Sequence, residues 1–217
     1  TKVDANLVLS DNGTNENTPS SFTSIQYAGL HRTKSELQDR NALGLMHSGG
    51  SLIQNFNKGY IGLGAVYSHV DLQEAKNSAP YQVFEPSKKN QFHSSVFHQF
   101  QVNKLLLFGE LASDEKGHLA LLQGILKGLG KYAESIIIYR NYSSQFYTKN
   151  SQTISSTGKS QNEQGILFGF NFLPNKAWKY NLYYDSWTHP WLRYSSDLPS
   201  KGNEWSVKMT YTKRKKW

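Results

Sequence analysis

A period of two in side-chain polarity restricts a chain to extended strands, because only a strand sends successive side chains to opposite faces. Residues 177–187 show it most clearly: Trp178, Tyr180, Leu182 and Tyr184 share one face, and Lys179, Asn181, Tyr183 and Asp185 the other. Residues 204–212 repeat it, with Trp205, Val207, Met209 and Tyr211 against Glu204, Ser206, Lys208 and Thr210. Residues 164–173 set Ile166, Phe168, Phe170 and Phe172 against Gln164, Leu167, Gly169 and Asn171, and the chain opens with Val3, Ala5, Leu7 and Leu9 against Lys2, Asp4, Asn6 and Ser10. Noisier alternation marks residues 58–69, 92–102, 104–112, 117–127 and 132–142, and weakly 50–56. Gly124, Gly128 and Gly130 count against reading 119–129 as a helix. The expectation is an all-β chain of about ten strands.

Composition narrows the class. The mean hydropathy is −0.61, and no run approaches the roughly 18 uninterrupted apolar residues of a membrane helix. A β-barrel escapes that test, since only alternate residues face lipid. Zero cysteines remove disulfides and thiolate metal sites. The formal charge of +8 is scattered apart from Lys213-Arg214-Lys215-Lys216, which suits a membrane edge and gives no reason to expect a nucleic-acid partner. The chain starts at Thr1 and alternates from the outset. Residues 1–217 therefore read as one barrel domain cut from a longer chain.

The connections alternate in length. Short turns fall at 57–58, 103, 128–131 and 174–176, and long loops at 11–49, 71–91, 143–163 and 188–203, with 113–116 the one short member of the second set. A short surface helix is expected at 33–45. One rim of tight turns and one of loops is the asymmetry of outer-membrane barrels. Strands of roughly ten residues and aromatics at strand ends agree with it. The expected architecture is an antiparallel up-and-down transmembrane β-barrel in a bacterial cell outer membrane, complete in itself or part of a larger ring. Its expected partners are outer-membrane lipid and other outer-membrane or periplasmic subunits. The same alternation also fits a soluble all-β binding protein of lipocalin-like or sandwich type, with the apolar face turned inward.

Three stretches carry a likeness: Tyr139-Arg140-Asn141-Tyr142; Asn162-Glu163-Gln164-Gly165 opening a strand; and His189-Pro190-Trp191-Leu192-Arg193-Tyr194 running into Asp197-Leu198-Pro199-Ser200-Lys201-Gly202-Asn203-Glu204-Trp205. Looser similarity reaches back through Phe108-Gly109-Glu110 and residues 32–40. On these the chain resembles Bacteroidetes-type outer-membrane barrel proteins often labelled helix-hairpin-helix domain-containing or competence-like. The resemblance implies an outer-membrane location and no settled activity. The helix-hairpin-helix segment itself is absent, so its DNA binding does not carry over. The end of the chain, 211–217, departs from the usual barrel terminus.

Candidate site residues form two groups. Glu110, Glu134, Arg140, Lys179 and Asp185 fall on the face assigned to the lumen, where opposed charges either set pore selectivity or fill a narrow barrel as a salt-bridged plug. Arg140 with Glu134 is the expected first pair. Trp187, Pro190, Trp191, Arg193 and Tyr194 form either a partner-binding platform or a loop folded onto the rim. For a hydrolase, His189, Asp185 and Asp197, with His118 and Glu163, are the groups to consider. No nucleophile elbow or zinc-protease motif accompanies them, and solvated loop residues account for them as well. His93 and His98 point to opposite faces. No catalysis, cofactor or metal is expected.

Overall fold

The computed structural model describes residues 1–10, 18–26, 29, 31–75, 79–149, 151–194 and 196–213. Among them twelve strands form one mostly antiparallel sheet: β1 (Lys2–Ser10), β2 (Thr18–Gln26), β3 (Leu43–Phe56), β4 (Gly59–Val70), β5 (Gln73–Glu74), β6 (Asn90–Val102), β7 (Leu105–Asp114), β8 (Leu119–Gly128), β9 (Ala133–Tyr142), β10 (Glu163–Phe172), β11 (Trp178–His189) and β12 (Ser200–Tyr211). Their order is β12-β11-β10-β9-β8-β7-β6-β4-β3-β1-β2-β5. The all-β, antiparallel expectation is met, with twelve strands instead of about ten. The sheet is not closed into a ring: β12 and β5 stand at its two ends. The basic run at the end of the chain lies, beyond Lys213, outside the described residues.

Strand β2 and the first half of β3 replace what alternation marked as loop. Thr-Pro-Ser-Ser-Phe-Thr-Ser-Ile-Gln holds only Phe22 and Ile25 as large apolar residues, so its strand character comes from pairing with β1 and not from its own pattern. The expected helix at 33–45 shrinks to α1 (Lys34–Gln38), because Leu43 onward is drawn into β3.

The chain divides into two compact units, residues 1–50 with 65–93 and residues 51–64 with 94–217. The first has an apolar nucleus of Ala5, Phe22, Leu43 and Val70, with Val3, Leu7, Ile25, Leu45 and Leu72 packed against it. Strand β1 lies between β2 and β3, and β2 adds the short β5 in parallel. Helix α1 starts with a capping box: the Glu36 amide donates to Thr33 Oγ1 and the Thr33 amide donates to the Glu36 carboxylate. The Arg32 amide, then its guanidinium, hold that carboxyl below its ordinary range.

In the second unit β7 to β12 form an antiparallel meander. One face carries Ile125, Ile137, Phe168, Phe170, Leu182 and Val207. All are exposed, and on interior strands Phe168 is 43% and Leu182 41% accessible. The other face carries Ala120, Ile138, Arg140, Tyr142, Glu163 and Asp185, all buried. The buried face thus mixes ionised and apolar side chains, and the large side chains of the opposite face are exposed.

Candidate functional site

The buried face of the second unit is centred on Arg140. Register places Arg140 of β9 opposite Gly165 of β10, and Gly165 opposite Trp187 of β11. A Cβ on Gly165 would sit 2.7 Å from Arg140 Cζ and 2.9 Å from the Ser186 carbonyl. Residue 165 therefore has no side chain because the guanidinium lies across the strand at that point. Across this trough Arg140 reaches the strand beyond. Its Nη1 and Nη2 donate to Asp185 Oδ1 and Oδ2 at 2.8 and 2.9 Å, and Nε donates to Glu163 Oε1 at 2.5 Å. The two-pronged contact with Asp185 matches the planar fork of guanidinium to carboxylate.

Glu163 is saturated from its other side. The Ser156 amide donates to both carboxylate oxygens at 3.1 and 3.0 Å, and Ser156 Oγ donates to Oε2 at 2.5 Å. Loop 143–162 thus folds back over the sheet. It is tied down again where Tyr142 Oη meets Thr153 Oγ1 at 2.6 Å and the Ile154 carbonyl at 3.1 Å. His189, at the end of β11, donates from Nδ1 to the Asn162 carbonyl at 2.8 Å, which leaves Nε2 facing Ser156 Oγ at 3.3 Å. Asn162, at φ 55°, closes the loop by accepting from the Trp191 amide at 2.7 Å and donating to the Trp191 carbonyl at 3.0 Å.

An isolated charge here would cost several kcal/mol, so the cluster stands on mutual saturation. Three of the five Arg140 N–H donors are used on carboxylates, and Glu163 receives four hydrogen bonds. The arrangement joins three strands and a loop into one rigid block. Its guanidinium is fully buried.

The Arg140–Glu134 pairing is corrected. Both side chains are on β9, six residues apart, which is about 20 Å along a strand. Glu134 instead accepts from Asn171 Nδ2 at 2.9 Å, and Asn171 in turn accepts from Asn181. Glu110 shares the face of Arg140, since Glu110 is opposite Leu122 and Leu122 opposite Arg140. It is exposed beside an open cleft of about 610 Å³ that Tyr60, Phe97, Phe108 and Gln152–Ile154 also line. Lys179 lies on the same side and is exposed.

The second group does not form one platform. Trp187 belongs to β11 and its ring lies over Gly202, where a Cβ would come within 2.8 Å. Pro190 and Tyr194 are exposed, Trp191 is held by Asn162 through its backbone, and Arg193 bridges to Ser196. The hydrolase constellation is only partly assembled: His189, Glu163 and Asp185 meet around Arg140, whereas His118 bonds Asp114 at 2.8 Å and Asp197 is exposed. Among the described residues no group of three or more His, Asp or Glu could hold a metal ion. Of the central contacts, Glu163–Arg140 was the one legible in principle. Strands of equal length flanking loop 143–162 pair Tyr142 with Glu163 and hence set Glu163 diagonally beside Arg140.

Searches against protein-family models, curated proteins and solved structures find no match for this chain.

Proposed function

We propose that this chain is a transmembrane β-barrel component of a bacterial outer membrane. In that role it acts as a structural or partner-binding subunit or a narrow channel, without catalysis. What carries the reading is the inverted polarity of the second unit. Burying Arg140, Glu163 and Asp185 while leaving Phe168, Phe170, Leu182 and Val207 exposed is unfavourable in water, where each partly exposed large side chain forfeits part of the roughly 1.5–3 kcal/mol of full burial. The same distribution is favourable when lipid covers the apolar face. Strands β7 to β12 have 10 to 12 residues, enough for a tilted strand to cross hydrocarbon. Aromatic pairs lie along the apolar face of the last hairpin, Trp178 with Tyr211 at 4.7 Å and Tyr184 with Trp205 at 4.3 Å, and Trp and Tyr are enriched near membrane–water interfaces. Unpaired strand edges cannot face lipid, so the reading requires the edges of the sheet to be paired in the membrane. The resemblance to Bacteroidetes-type outer-membrane barrels supports the same location. A soluble lipocalin-like protein would need the aromatic stripe inside.

The test uses single-tryptophan variants in vesicles of acyl-chain-brominated lipid. Emission from Trp205 should be strongly quenched and that from Trp187, on the covered face, should not. Equal quenching of both, or a monodisperse protein in detergent-free buffer, ends the membrane reading.

A further inference from the structure

The cleft beside Glu110 has features the Arg140 cluster does not explain. Two of its aromatic rings lie across neighbouring strands in place of missing side chains. The tip of Phe97 occupies the site of a Cβ on Gly62, 2.3 Å from it, and the tip of Phe108 that of a Cβ on Gly124, 2.1 Å away. Both rings therefore lie along the sheet, and the space above them stays open. Tyr60 meets Phe97 edge-on at 6.2 Å, and Ile154 of the folded-back loop adds an apolar wall. The cleft, about 610 Å³, falls within the range of small-molecule sites.

Into this aromatic space projects one carboxylate. Glu110 makes no ion pair or hydrogen bond among the described residues. Arg140, two strands away in the same row, is committed to Glu163 and Asp185. The charge of Glu110 is thus left without a cation, in a cleft that Tyr60, Phe97 and Phe108 also line. Aromatic faces and a single carboxylate together attract a cation that also has apolar surface. A bare metal ion would find too few oxygen ligands, and an anion would be repelled. We infer that this cleft is a binding site for an organic ammonium cation, a primary or quaternary amine with an apolar substituent. Glu110 neutralises its charge and Phe97, Phe108 and Tyr60 enclose its alkyl groups.

This inference goes beyond the membrane reading and depends only on the covered face of the second unit. The experiment keeps the two separate by using the full chain in whichever medium leaves it monodisperse. Benzyltrimethylammonium, benzyl alcohol and phenylacetate share an aromatic ring and differ in charge. Saturation-transfer NMR titrations should give an affinity for the cation at least about tenfold above that for the neutral alcohol, with phenylacetate weakest. Glu110→Gln, a nearly isosteric change at an exposed position, should collapse the cation and the alcohol to similar affinity. Phe108→Leu should weaken the cation while retaining the charge order. No saturable binding of the cation, equal binding of the cation and the alcohol, or a charge order that survives Glu110→Gln overturns the proposal. A chain that keeps the order in detergent-free buffer would refute the membrane and retain the site.

Discussion

The two compact units of this chain solve the same problem with opposite materials. In the first, Ala5, Phe22, Leu43 and Val70 form an apolar nucleus under a small mixed sheet, as any water-facing domain would. In the second, the most deeply buried large side chains include Arg140 and Glu163, beside the apolar Ile138 and Tyr142, while Ile137, Phe168, Phe170, Leu182 and Val207 point away from them. The contrast shows that burial alone does not identify a solvent. An apolar interior is driven by exclusion of water. An ionic interior survives only where each charge has partners.

The comparison breaks most readily at Arg140. Arg140→Ala leaves two carboxylates buried without their cation, and should cost about 3–5 kcal/mol of stability. Chemical denaturation followed by hydrogen exchange should show the loss in amides of β9 to β11, with protection around Ala5 and Val70 nearly unchanged. A loss shared equally by both units would mean that they are one cooperative block. Leu43→Ala is the mirror experiment. It opens a cavity in the apolar nucleus at about 2–5 kcal/mol, and the protection lost should be that of β1 and β2. The smallest effect concerns α1. Because the Glu36 carboxyl is held below its ordinary value by hydrogen bonds from Arg32, its contribution is fully present above the unfolded value. It should fade as pH falls through the lowered one. An NMR titration of the Glu36 carboxyl and the Arg32 amide should give a common midpoint below that of a free glutamate. A midpoint at the ordinary value would remove the capping box from solution.

The sequence was most readable where side-chain polarity changes every residue. Strands β9 to β11 and the faces of Arg140, Asp185 and Leu182 follow from alternation, because Tyr, Phe and Ile on one side meet Asn, Asp and Gly on the other. Thr18–Gln26 gave no such signal, since serine and threonine are tolerated on either face. Pairing with β1, remote in pattern though near in sequence, decides its conformation. At the site, the face of Arg140 was legible, and of its partners only Glu163 was within reach of sequence reasoning. Glu134 shares its strand and parity, but distance along the strand separates them, and only cross-strand register brings Asp185 within reach from 45 positions later. The folded-back loop was invisible for a related reason. A stretch rich in serine, threonine and glutamine resembles a solvated linker until Glu163 is seen to bind the Ser156 amide and hydroxyl.

The trough at Gly165 has a kinetic corollary. A guanidinium that lies over one strand to grip the next cannot use its full set of donors in a two-strand hairpin. While only β9 and β10 are joined, Arg140 has Glu163 alone, and Asp185 has no cation until β11 zips alongside. Arrival of β11 would therefore complete the two-pronged guanidinium contact and lock the preceding pair in register. Mispairing of β11 by one residue is penalised because it would turn Asp185 to the opposite face.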